Sequence, residues 1–202
     1  MSQKQSNKYL LTQSLISSWL WALKLDNGYE DFLKTLRREP IRQTKAMLEG
    51  IRFENCLNAV LNGSNIEPTH EWYKPIKTLY PVLKGAQQQA AMSKDIVVNN
   101  VAFVLYGKLD YLKAGVIYDT KYSKTYHVGK YLDSPQHPMY FALVPEAYKF
   151  KYKICDGNMV YTETYRPDET ENIETIIKHF MAFLDRMNLV DMYQENWRSR
   201  YE

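Results

Sequence analysis

Cysteine is scarce in this chain, which has only Cys56 and Cys155 among its 202 residues. Two thiols cannot ligate an iron–sulfur cluster or build a four-cysteine zinc site, and they suggest no disulfide framework. We therefore expect no iron–sulfur cofactor and a protein adapted to a reducing compartment, with the cytoplasm as the default location.

Long apolar runs are lacking as well. No stretch approaches the roughly 20 apolar residues of a membrane-spanning helix, and the first residues, MSQKQSNKYLL, do not have the pattern of a signal peptide. There are four histidines, and none has the spacing of a zinc motif; His70-Glu71, for example, is not part of an HExxH sequence. We therefore expect neither a membrane partner nor a zinc site.

Net charge is small, and no repeat or low-complexity segment is present. A net charge of +3 permits a nucleic-acid partner without arguing for one, because any such attraction must come from local patches. Seventeen tyrosines could stack on bases or supply amphipathic surface. The length and an apolar fraction of 45% fit one globular domain spanning residues 1–202.

The most informative stretch is YGKLDYLKAGVIYDTKY, residues 106–122. Residues 106–113 and 116–122 alternate apolar with polar side chains, and Ala114-Gly115 is a plausible two-residue turn between them. The pattern predicts a β-hairpin in which Lys113 pairs with Val116.

Counting outward from that turn sets Asp110 opposite Asp119. Directly opposed side chains lie about 4.5–5.5 Å apart at Cβ, where like charges are unfavourable unless they share a proton or bind a cation. Lys121, two residues beyond Asp119, projects from the same face of the strand. The alternative is a half-exposed hairpin whose charges face water.

Glu54 is the third acidic residue of interest. A helix over residues 43–61, ending near Gly63, places Glu54 at the middle of an apolar face. The apolar residues on that face are Met47, Ile51, Leu57 and Leu61. A carboxylate there must be paired or metal-bound; the alternatives are a core Arg or Lys partner, or a position at the wet edge. Gly50, one turn earlier, would allow close approach to the helix.

The remaining patterns complete an alternating order of helices and strands. Helices are predicted at 12–25, 29–38 and 169–187, with one opening at Ser134-Pro135 and a short one ending near Trp197. Strands are predicted at 88–98, 101–112, 116–122, 146–155 and 159–165, with a turn at Asn99-Asn100 and a loop at 123–130. Residues 64–85 are expected to be loop with a short helix.

One strand face carries a row of three lysines, Lys149, Lys151 and Lys153. The favoured interpretation is that this face is solvated, and the less favoured one is that it contacts phosphates.

This order of helices and strands resembles the PD-(D/E)XK nuclease superfamily, and specifically its RecB-like branch of exonucleases, and a phage or prophage origin of the chain is a further expectation. The features that carry the likeness are GIRFE ending in Glu54, GKLDYL with Asp110, IYDTK with Asp119 and Lys121, and Gln136-x-x-x-Tyr140. They cover about residues 45–165. The first motif departs from the branch, because many members have a histidine at the position of Glu54.

The resemblance implies an α/β (α+β) mixed sheet with a restriction-endonuclease-like αβββαβ core. Residues 1–42 would form an N-terminal helical part, 43–165 the nuclease core and 166–202 the C-terminal helices. It further implies a metal-dependent deoxyribonuclease in which Glu54, Asp110, Asp119 and the Thr120 carbonyl hold Mg2+ or Mn2+. Lys121 would assist the attacking water or offset charge on the phosphate.

DNA is the implied partner, contacted by Gln136, Tyr140 and Lys124, with a recombination protein as a further partner. For Tyr140, packing beneath the sheet is an equally favoured interpretation. The alternative function is a catalytically inactive DNA-binding module of the same fold, or a phage accessory protein that binds other proteins. Exonuclease and endonuclease action, polarity and strand preference stay open at this point.

Overall fold

The computed structural model describes residues 8–24 and 28–199, which build a mixed sheet flanked by helices. Its strands are β1 (Tyr9–Thr12), β2 (Gln87–Val98), β3 (Val101–Lys113), β4 (Val116–Tyr122), β5 (Lys149–Cys155) and β6 (Val160–Tyr165). Its helices are α1 (Gln13–Ala22), α2 (Gly28–Leu36), α3 (Lys45–Leu61), α4 (Tyr73–Leu83), α5 (Gln136–Leu143), α6 (Ile173–Arg186) and α7 (Val190–Asn196). Within these ranges, the helices are all too short or too polar to cross a bilayer.

The sheet of the described residues has six strands, and β3 pairs with three of the other five, β1, β2 and β4. Its order is β1-β3-β4-β5-β6, and β2 pairs with β3 as well. The β1–β3 and β4–β5 pairs are parallel, and the other pairs are antiparallel. The predicted fold class, a mixed α/β sheet with helices at both ends, is confirmed. The expected αβββαβ order is present as α3, β2, β3, β4, α5 and β5, with α4 inserted after α3.

Pairing along β3 runs almost its full length on one edge, with one step missing between Tyr111 and Leu109, and is interrupted over several residues on the other. The antiparallel partner β2 runs along β3 from Val101 to Leu112. On the opposite edge, β1 pairs with residues 103–106 and β4 with residues 111–113. Among the described strands, none pairs with residues 107–110 on that second edge, so a short gap lies between β1 and β4.

Both predicted hairpins are confirmed, including the turn residues. Asn99 and Asn100 have φ of 48° and 62°, and Ala114 and Gly115 have φ of 48° and 71°. Two successive positive φ angles are typical of the tight turn whose twist matches antiparallel strands. The predicted pair of Lys113 with Val116 is present.

Helix ends follow the capping residues of the sequence. Thr12 caps α1 by accepting a hydrogen bond from the Leu15 N–H at 3.2 Å. Asn172 caps α6, which buries an apolar stripe of five residues, Ile173, Ile176, Ile177, Phe180 and Leu184. The C-terminal part docks on the N-terminal part, because the Trp197 indole N–H donates to the Leu36 carbonyl at 2.9 Å.

Three expectations about elements need correction. β1 was not predicted, because four residues are too short to show a pattern. α4 is a full helix, with Ile76, Leu79 and Leu83 buried, where loop with a short helix was expected. The predicted apolar face of α3 was wrong in part: Leu57 is buried as expected, but Met47 is 50% exposed, and the other buried residues of the helix are Phe53 and Val60.

Candidate active site

Asp119 is the most deeply buried carboxylate of the described chain, at 1% exposure in the middle of β4. Its Oδ2 lies 2.7 Å from the Lys121 ammonium. That oxygen makes no hydrogen bond of regular geometry, but at this distance the ion pair is close. Its Oδ1 accepts a hydrogen bond from the side-chain amide of Gln136. A buried negative charge therefore has one cationic and one neutral partner, as a buried carboxylate requires.

Asp110 lies beside Asp119 at the point where β3 and β4 separate. The ladder between the two strands ends at Tyr111–Tyr118, one step before the two aspartates would face each other. Instead, the Asp110 carboxylate accepts a hydrogen bond from the backbone N–H of Thr120 at 3.0 Å. The expectation that Asp110 and Asp119 pair directly across the two strands was therefore wrong. At this step the Asp110 side chain, and not its backbone, bonds to the neighbouring strand.

Burial and the charges of this cluster shift the pKa values of Asp110 and Lys121. Burial raises the pKa of Asp110 well above its usual range, and the negative charges of Asp119 and Glu54 raise it further against the opposing pull of Lys121. For Lys121, burial acts to lower the pKa, but Asp119 and Asp110 outweigh it and hold the pKa above its ordinary value. Lys121 is therefore a cation at neutral pH, with its side chain 31% exposed.

Helix α5 packs on β3 next to the gap between β1 and β4. Gly107 faces this helix, and a Cβ there would lie 2.5 Å from the Tyr140 ring and 2.9 Å from Leu143. The absence of a side chain lets α5 approach, and the Tyr140 hydroxyl then donates to the Lys108 carbonyl at 2.9 Å. This backbone oxygen belongs to the stretch that no described strand pairs on that edge, so Tyr140 substitutes for a strand partner.

Gln136 and Tyr140 lie one helical turn apart on the same face of α5, as the sequence predicted. Gln136 is 5% and Tyr140 4% exposed. Tyr140 packs beneath the sheet, the second of the two interpretations, and burial raises its pKa to about 12. In this structure Gln136 contacts Asp119 from below the surface, so both residues shape the site from within. Their contact with DNA stays a prediction.

Glu54 comes from α3 and is bound by a residue that the sequence did not single out. Its Oε1 accepts a hydrogen bond from the Gln89 side-chain amide at 2.7 Å. Gln89 has φ of +52° and lies where the β2–β3 ladder skips one step, between the Gln88–Tyr111 and Ala90–Leu109 pairs. A left-handed conformation is uncommon for such a residue, and strained backbone of this kind concentrates at functional sites. No feature of the sequence marks this strain.

The donor set suits a hard divalent cation, although the acids are not gathered around one point. Within residues 8–24 and 28–199, no group of three or more His, Cys, Asp or Glu side chains is placed to hold a metal ion. Asp110 and Asp119 lie together, whereas Glu54 points to Gln89. Carboxylate oxygens are the ligands that Mg2+ and Mn2+ prefer. The nearest charge of opposite sign, Lys121, neutralises only one of the two aspartates.

Lys124 lies outside this cluster, in the loop after β4. Its ammonium pairs with Glu49 at 3.2 Å, and its side chain is 61% exposed. The position leaves it available to a large ligand approaching from solvent. Exposed pairs of this kind are weak and exchange partners readily.

Comparison with known proteins gives structural similarity alone. No family model and no curated protein matches the sequence. The crystal structure of SSO0001 is similar over 92% of this chain and 80% of its own, with 13% identity and a TM-score of 0.52. At that identity, the likeness shows a shared mixed α/β fold.

A weaker similarity links the chain to Candida albicans Rai1, whose structure was determined in complex with pU5-Mn2+. It covers 93% of this chain and 63% of Rai1, with 14% identity and a TM-score of 0.34. A similarity at that score does not bear on the activity of this protein. The class of the protein is defined by its fold and its candidate site. It is a mixed α/β protein in which two neighbouring aspartates, a lysine and a glutamine lie where β3 and β4 stop pairing.

Proposed function

We propose that this protein is a divalent-metal-dependent deoxyribonuclease of the PD-(D/E)XK type, acting as an exonuclease. The observation that carries the proposal is Asp119, which is almost fully buried between Lys121 and Gln136 and next to Asp110. Two carboxylates packed this closely raise each other's energy in the absence of a second cation. A purely structural ion pair would need one acid, not two.

A metal ion fits this donor set. Asp110, Asp119 and the Thr120 carbonyl would hold Mg2+ or Mn2+, and Glu54 would join them on exchanging its hydrogen bond to Gln89. The ion would supply an activated water and polarise the scissile phosphate. DNA is the proposed partner, with the exposed Lys124 near its backbone.

The chain's own residues would bind and orient the substrate. Because its pKa is raised, Lys121 would act as a hydrogen-bond donor, either orienting the attacking water or offsetting charge on the phosphate. Gln136 keeps Asp119 in place, and Tyr140 fixes α5 against β3 so that Gln136 stays within reach. These two are positioning residues in the proposed mechanism.

A thermal titration tests the metal site. We expect Mn2+ at about 100 times its Kd to stabilise the wild-type protein by roughly 2.7 kcal/mol, which is a rise of about 5–10 °C in Tm. Asp119→Asn keeps the volume and should lose this rise. Asp185→Asn, which removes an exposed carboxylate of α6, is the matched control and should keep it.

Activity is tested on labelled linear DNA and on closed circular DNA. We expect Mn2+- or Mg2+-dependent loss of the linear substrate, an intact circle, and no activity in Asp119→Asn. Cleavage of the circle would show that the protein acts as an endonuclease and not as an exonuclease. Wild-type protein that leaves single- and double-stranded DNA intact, and whose Tm is indifferent to Mn2+, refutes the proposal.

A further inference from the structure

A cavity opens beside the aspartate cluster on its solvent side. Its volume is about 400 Å³, and its wall includes Lys121 and Gln136 together with α1 and the turns before α5. Pockets for small ligands have volumes of roughly 300–1,000 Å³. The cavity therefore accepts a group of the size of a nucleotide, and it is too small for both strands of a duplex.

The charge of its lining is positive. Three lysines, Lys24, Lys121 and Lys130, line the cavity together with one carboxylate, that of Asp133. Lys121 is already paired with Asp119 behind the wall. Asp133 pairs with Lys24 at 3.1 Å. Lys130 donates instead to two neutral oxygens, Ser123 Oγ at 2.6 Å and the Thr125 carbonyl at 3.2 Å. In the part of the chain that the structure describes, no carboxylate neutralises Lys130, so the cavity attracts an anion.

An aromatic ring stands at the rim. Trp21 lines the cavity and is 59% exposed, although tryptophan usually covers apolar surface. It has no ring partner among the described aromatic residues, whereas Tyr131 on the cavity wall stacks on Tyr152 with centroids 4.7 Å apart. A free indole face next to unpaired positive charge is the combination that binds a base together with its phosphate.

We propose that this cavity binds one unpaired nucleotide of the substrate, with the base on Trp21 and the phosphate at Lys130. The site would make the protein prefer single-stranded DNA, or a duplex with a single-stranded tail, over a blunt duplex. This inference rests on the proposed nuclease function, because it places the nucleotide beside Lys121 and Gln136. It adds the substrate class that the catalytic residues alone leave undefined.

Binding without divalent metal tests the inference separately from catalysis. The probe is a fluorescein-labelled oligothymidylate, compared with a blunt duplex and a tailed duplex by anisotropy. Trp21→Ala should weaken binding of the single strand roughly 5- to 150-fold, the range for loss of one stacked base. Trp21→Phe should retain most of the affinity, since a ring is kept.

Two further variants separate stacking from charge and from general damage. Lys130→Ala should reduce the slope of log affinity against log salt by about 0.7, the value for one phosphate of a single strand. Tyr148→Ala removes another exposed ring, 53% exposed, which contacts Gly115 at the opposite end of β4. It should bind as the wild type does. All variants should keep the wild-type Tm, because the changed side chains lie at the surface.

The outcomes distinguish the two proposals. Single-strand binding that depends on Trp21, without metal-dependent cleavage, supports the nucleotide site and refutes the nuclease. Cleavage that proceeds while Trp21→Ala binds single strands as tightly as the wild type refutes the nucleotide site and leaves the nuclease standing. Equal weakening for single strands and blunt duplexes also refutes the preference for unpaired DNA. Wild-type protein that binds none of the oligonucleotides refutes the nucleotide site, whether or not it cleaves DNA.

Discussion

His137 should make the stability of this protein fall in mild acid. The side chain is 3% exposed and stacks on Tyr165, with ring centroids 4.2 Å apart and planes 9° from parallel. Its Nδ1 lies 3.2 Å from the Tyr152 hydroxyl. Burial lowers the pKa of His137 from 6.5 to about 4, although the charge of Glu163 acts in the opposite direction.

The sign follows from which state binds the proton first. As pH falls through about 6.5, the unfolded chain takes up a proton at His137 that the folded protein refuses until about pH 4. The free energy of unfolding therefore decreases as the pH falls from about 6.5 to about 4. Below about pH 4, His137 causes no further decrease. The difference of about 2.5 pH units corresponds to roughly 3 kcal/mol, at about 1.36 kcal/mol per unit.

Urea unfolding at a series of pH values measures this contribution. Because carboxylates also titrate in the lower part of the range, the quantity to compare is the difference between wild type and His137→Gln. The variant should be less stable at neutral pH and lose roughly 3 kcal/mol less between about pH 6.5 and 4. His127→Gln, at an exposed histidine, is the control and should follow the wild-type curve. Parallel curves for wild type and His137→Gln would refute the reasoning.

Two glycine substitutions should change stability in opposite directions. Gly107→Ala should lower the free energy of unfolding by about 1–3 kcal/mol, because the new methyl group would lie 2.5 Å from the Tyr140 ring and push α5 outward; wild-type stability in urea would contradict this packing. Gly50→Ala should raise it by roughly 1 kcal/mol, because α3 has open space there and alanine is the better helix former. A destabilised Gly50→Ala protein would show that some contact needs this glycine.

Local patterns predicted the hairpins and the start of the first helix because the responsible interactions are local. The turn Ala114-Gly115 fixes the register of its own neighbours, and Thr12 caps the helix that directly follows it. By contrast, β1 exists because residues 9–12 pair with residues 103–106, almost half the chain away. Four residues carry no periodicity from which such a partner could be inferred.

The residues of the candidate site were named from the sequence, and the structure arranges them differently from the expectation. The position of Glu54 was inferred from a helical wheel that treats α3 as buried along its whole length. In the structure only the C-terminal half of α3 is packed, so Met47 and Ile51 face solvent and Glu54 lies at the margin. Its partner Gln89 depends on a positive φ within a strand, which no residue preference announces.

The interrupted edge of β3 explains why the site lies where it does. If β4 paired with β3 beyond Tyr111, the backbone groups of the two strands would bond to one another. The Thr120 N–H would then not be free to donate a hydrogen bond to the Asp110 carboxylate. Since the ladder stops there, Asp110 accepts a hydrogen bond from the Thr120 N–H, while the missing side chain of Gly107 leaves room for α5 to approach. That approach carries Gln136 to Asp119. The polar cluster is thus a consequence of incomplete strand pairing, and a variant that displaces α5 should disturb the aspartates without touching them.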